Sequence, residues 1–60
     1  YFTVLNEAVN AYKLGQAGEK ERAFLRGTGV SDIAIEASAR LFITDKKELA
    51  EVVEAMKKDR

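Results

Sequence analysis

Glycines with a nearby lysine are the first residues here whose types and spacing could bind a ligand: Gly15, Gly18 and Lys20, then Gly27 and Gly29. A glycine-rich loop lets successive backbone N–H groups wrap a phosphate. A Walker loop separates its glycines by four residues and follows them with Lys and Ser or Thr. Here Ala17 and Gln16 alone stand between Gly15 and Gly18, and Glu21 follows Lys20. Gly27-Thr28-Gly29 lacks the third glycine of a dinucleotide fingerprint and follows a helical pattern rather than a strand. Both glycine pairs read as turns between helices.

Paired carboxylates are the next candidates. Glu51 and Glu54 are three apart and Asp32 and Glu36 four apart, spacings at which one helix face could share a divalent cation. Lys47 precedes Glu51 by four, Glu54 precedes Lys58 by four and Glu36 precedes Arg40 by four, so each pair reads as a salt-bridged helix face. Nucleophilic catalysis from Ser31, Ser38, Thr28 or Thr44 would need a positioned base, and the chain has neither His nor Cys. Enzymatic activity, a metal site, a cofactor and a small-molecule substrate are therefore not expected. Without Cys or His, disulfides and thiolate or imidazole metal sites are also lost as sources of stability.

The elements that must position these residues follow from periodicity. Apolar residues between the glycines repeat at three and four, the helical period. Four helices are expected, over about 3–14, 19–26, 31–43 and 45–58, in a single domain. In the first, Val4, Leu5, Ala8, Val9, Ala11 and Tyr12 share a face, with Thr3 as cap and Gly15 as stop. The second is short, offers Ala23, Phe24 and Leu25 to a core, and is expected to stop at a left-handed Gly27. Ser31 caps the third, where Asp32, Glu36 and Arg40 fall within an arc of about 80° and leave most of the circumference apolar. Those three charges read equally as a solvated edge or as a stripe that meets charges on another helix or subunit. The fourth opens with Asp45 and Glu48 in capping-box spacing and carries Leu49, Val52, Val53 and Met56 on one face. A competing local reading makes residues 39–44 a short strand, because Leu41, Phe42 and Ile43 suit either state.

Length and composition bound the function. The chain has 60 residues, 47% of them hydrophobic and 33% charged, with a formal net charge of +0. That balance describes a packed chain rather than a disordered one. Such a chain buries only about 60% of the surface it exposes when unfolded, so oligomerisation is the expected source of further stability. The longest stretch without a charge, Tyr1 to Asn6, falls far short of the roughly 20 apolar residues of a membrane span. No membrane partner is expected, nor a signal peptide, and the cytoplasm is the default location. Tyr1 is not an initiating Met, so the native N-terminus is expected to be missing.

Residues Ala23 to Phe42 resemble a helix-turn-helix: a short helix, a turn at Gly29-Val30-Ser31, and a second helix with Ala34 and Ile35 at inward recognition-helix positions. The resemblance implies a small DNA-binding regulator in which Lys20, Arg22, Arg26 and Arg40 contact phosphates. Against it, Gly27 would sit inside the first helix, Ile33 would point outward, and Asp32 and Glu36 would face phosphates.

The leading expectation is an all-α bundle of three or four short helices, with the third central and the first and fourth packed across it, completed by dimerisation. Its expected function is a helical protein–protein interaction or oligomerisation module, either homodimeric or binding a partner helix. The residues expected at the interface are Ile35, Phe42, Ala39 and Phe24, with Ile35 and Phe42 on the side away from Ile33 and Ala37.

Overall fold

A computed structural model describes residues 2–60 as four helices: α1 (Phe2–Lys13), α2 (Glu19–Thr28), α3 (Asp32–Phe42) and α4 (Lys46–Asp59). Among the described residues there is no strand, and residues 39–42 complete α3 as helix, with Ile43 capping it in an extended conformation. α1, α3 and α4 pack on one another, and α2 lies against α4. The expected all-α fold is thus observed, but the central place expected of α3 is taken by α4, which packs against all three other helices because α2 docks on it.

Local chemistry sets the ends of these helices. Gly15, at φ 71, ends α1; its N–H donates to Tyr12 O and the next N–H, of Gln16, donates to Ala11 O. This pair of reversed bonds satisfies carbonyls that a helix end otherwise leaves open. Ser31 caps α3 by accepting from Ala34 N at 3.2 Å, and Asp45 caps α4 by accepting from Lys47 N at 3.4 Å. At the start of α2 the Glu21 carboxylate accepts from Gly18 N at 2.7 Å.

Two expected boundaries move. α2 passes through Gly27 and stops at Gly29, whose φ of 62 makes it the left-handed residue; Thr28 extends the last turn by donating its hydroxyl to Phe24 O at 2.7 Å. Thr3 lies inside α1, which begins at Phe2, so it does not cap that helix; the preceding position, Tyr1, is outside the described residues.

The core is built from Leu5, Ala8 and Val9 of α1, Leu25 of α2, Ile35 and Ala39 of α3, and Val52, Val53 and Met56 of α4. Val30 and Ile43, in the connections on either side of α3, are buried as well and anchor both its ends. Tyr12 and Leu49 pack at the core's edge, whereas Val4, expected inside, is exposed. Asn6 reaches across from α1 to accept from the buried Ser38 hydroxyl of α3 at 2.5 Å. Among the described residues no buried side-chain polar atom lacks a hydrogen-bond partner.

Charged side chains from neighbouring elements close the helix ends. Lys13 donates to Phe42 O at the end of α3, at 3.1 Å, and Arg26 donates to Asp59 O at the end of α4, also at 3.1 Å. Tyr12 of α1 donates to the Asp59 carboxylate, and Arg60 donates to both Val30 O and Asp32. The last turn of α4 is thereby tied to all three other helices or their connections.

Candidate functional site

The two sides of α3 differ in chemistry. Taking about 100° per residue, Ala34, Ile35, Ser38, Ala39 and Phe42 occupy one side, and Ile33, Ala37 and Leu41 the opposite one. The first side faces the bundle: Ile35, Ser38 and Ala39 are buried there. Small residues at Ala34, Ser38 and Ala39 let both α1 and α4 approach α3 closely. The second side faces outward. Ile33 is 81% exposed and Leu41 74%, with the exposed Ala37 one turn from each.

This reverses the expected roles of the two sides. Ile35 and Ala39, expected at an interface, are 0% exposed and belong to the core. The reason is that two helices pack against the face of α3 that carries its small residues, and Ile35 fills the space between them. Phe24 is half-buried and packs against the core through α2, so it too is engaged inside the chain. Phe42 is the most exposed of the four expected residues, at 39%, because it lies on the bundle-facing side at the last position of α3. Ile33 and Leu41 were not singled out for this role. The available signal was the run of small residues on one face, which marks the side that helices approach.

The stripe of Asp32, Glu36 and Arg40 borders the outer apolar row and meets charges on α4. Glu36 lies 3.7 Å from Arg40 and 3.4 Å from Lys57, and Asp32 pairs with Arg60. Of the expected i, i+4 pairs, Glu36–Arg40 forms. Lys47, Glu51, Glu54 and Lys58 stand exposed on α4 without the Lys47–Glu51 or Glu54–Lys58 pair closing, since exposed long side chains gain little from such contacts.

Two shallow grooves flank α3. One, of about 270 Å³, lies between α3 and α4, with Leu49, Ala50 and Val53 as its floor and Glu36, Arg40, Glu54 and Lys57 at its rim. The other, of about 340 Å³, lies on the α1 side between Phe42 and the polar row Thr3, Asn6, Glu7 and Asn10. Among the described residues no three His, Cys, Asp or Glu side chains lie close enough together to hold a metal ion. No helix among them is long and apolar enough to cross a membrane.

The basic residues of the helix-turn-helix reading do not converge. Arg22 pairs with Glu19 at 3.6 Å, Arg26 caps the end of α4, and Arg40 pairs with Glu36. Lys20 is exposed about 160° around α2 from Arg22, on the opposite face. α2 also rests on α4 rather than against α3, whereas a helix-turn-helix packs its two helices together.

No family model matches the chain, and no match was found among curated proteins or solved structures.

Proposed function

We propose that this chain is a non-enzymatic interaction or oligomerisation module that works by covering the outer row of α3. The observation that carries the reading is the pair Ile33 and Leu41, held outward with Ala37 between them on a helix whose other side is locked into the core. Covering a large aliphatic side chain is worth roughly 1.5–3 kcal/mol, and here two of them stand two turns apart along one rigid helix. Apolar residues at i, i+4 and i+8 on such a helix fit another helix laid along or across them. The ion pairs of Asp32 and Glu36 with α4 fix the row's orientation, so docking costs little reordering of the backbone.

Sedimentation equilibrium at several concentrations, repeated with a random-sequence DNA duplex at low salt, tests the reading. It expects self-association or capture of a helical partner that Ile33→Glu and Leu41→Glu abolish while helicity by circular dichroism is unchanged. A monomer that co-sediments with duplex, and loses it as salt rises, would overturn the reading in favour of a DNA-binding regulator.

A further inference from the structure

We infer that α2 is a releasable cover: it leaves α4 and melts as one unit, between hinges at Gly15 and Gly29, while α1, α3 and α4 stay packed. The inference goes beyond the assembly reading and does not depend on it, because the outer row of α3 stays in place when α2 leaves. Its ground is an asymmetry of packing. α1, α3 and α4 each pack on the other two and so close a core among themselves, whereas α2 docks on α4. Among the described residues, α1, α3 and α4 each bury three side chains, and α2 buries Leu25.

The connections at both ends of α2 are hinged, and the chain is anchored just outside each hinge. Gly15 at φ 71 and Gly29 at φ 62 carry no side chain to restrict the backbone. Before Gly15, Tyr12 of α1 donates to the Asp59 carboxylate of α4. After Gly29, Val30 is fully buried and its carbonyl accepts from Arg60. These anchors join α1 and the start of α3 to the end of α4 without using α2. Release of α2 is therefore confined to the segment between the two glycines.

The contacts that hold α2 down are modest. Leu25 is buried, Phe24 is half-buried beside it, and Arg26 donates to Asp59 O at 3.1 Å from an exposed position, where water competes for both groups. Once undocked, α2 has only 10 residues with Gly27 among them, and isolated helices shorter than about 12–15 residues are marginal in water. Undocking and melting are thus one step, which uncovers the stretch of α4 that ends at Asp59. A region with so few buried apolar contacts opens at a lower free energy than the whole fold.

Amide hydrogen exchange of the full chain, followed residue by residue by NMR, tests the inference. Relative to their intrinsic rates, the amides of α2 should exchange about tenfold or more faster than the slowest amides of α1, α3 and α4. Their rates should also rise little in low urea, because little surface is exposed when α2 alone leaves. A variant outside α2 separates local from global opening. Asn6→Ala breaks the bond between α1 and α3 and weakens the three-helix core whether or not α2 is docked. It should speed the slowest amides of α1, α3 and α4 by about tenfold and leave those of α2 unchanged. Leu25→Ala should instead speed both sets. One common protection factor and urea dependence across all four helices of the parent, or an Asn6→Ala effect as large in α2 as elsewhere, would show that α2 opens only with the whole fold and would overturn the inference, leaving the assembly reading untouched. Should Asn6→Ala fail to fold, the parent's protection gap and urea dependence decide alone.

Discussion

The Tyr12 hydroxyl donates to the Asp59 carboxylate at 2.6 Å, joining α1 to the last turn of α4 across 47 residues of chain. Burial first, and then this bond to an anion, push the phenol's pKa above its ordinary value, with Glu21 adding to the rise and Arg22 opposing it. The native state therefore holds a proton that the unfolded chain releases near pH 10. Its contribution to stability should be complete below about pH 10 and fall as pH climbs through the native value. Tyr12→Phe should cost about 1 kcal/mol at neutral pH in urea denaturation and flatten this alkaline decline. Equal alkaline slopes for parent and variant would show that the bond does not hold the proton.

Gly27 and Gly29 should respond to alanine with opposite signs. Gly27 lies within α2, and a Cβ added there would meet nothing within 4 Å, so Gly27→Ala should stabilise by about 0.5–1 kcal/mol. Gly29 has φ 62, which an L side chain adopts at a cost, so Gly29→Ala should destabilise by about 1 kcal/mol despite equally open space. Denaturation midpoints of the two variants falling on either side of the parent's would locate the end of α2.

Much of this was legible in the sequence, and the exceptions have a common physical cause. The Ser31 cap, the Gly15 stop and the Val52, Val53, Met56 face depend on local geometry, and each is found where its spacing places it. The choice between Gly27 and Gly29 was not local: the sequence permits a stop at either, and Leu25 and Val30, both buried, decide how far α2 runs before the chain turns. Nor could periodicity order the two apolar sides of α3. Ile33, Ala37 and Leu41 form as regular a row as Ile35, Ala39 and Phe42, and only the approach of α1 and α4 makes one of them core. The candidate site was missed for that reason, because its residues are defined by what does not pack on them.

Asn6 and Ser38 should prove energetically coupled. Asn6→Ala would leave the buried Ser38 hydroxyl without its 2.5 Å acceptor and should cost about 1–3 kcal/mol. Ser38→Ala removes the donor but preserves the small contact between α1 and α3. The double variant Asn6→Ala/Ser38→Ala should consequently be less destabilised than the sum of the single ones, by about 0.5 kcal/mol or more. Strict additivity in a double-mutant cycle would place the cost in packing rather than in the bond.

Ile33 and Ile35 are two residues apart on α3 and share one side-chain chemistry, so comparing them isolates the effect of orientation. Ile35→Ala removes atoms from a fully buried position between α1 and α4 and should cost about 2–5 kcal/mol. Ile33→Ala removes the same atoms from a position 81% exposed and should change monomer stability by no more than about 0.5 kcal/mol. The contrast sharpens with charge. Ile35→Glu would bury an unpaired carboxylate and unfold the chain, whereas Ile33→Glu should melt with the parent when measured at concentrations too low for self-association. Thermal melts followed by circular dichroism separate the two cases. Similar losses at both positions would mean that α3 presents its other side to the bundle, and would remove the outer row on which the proposed assembly depends.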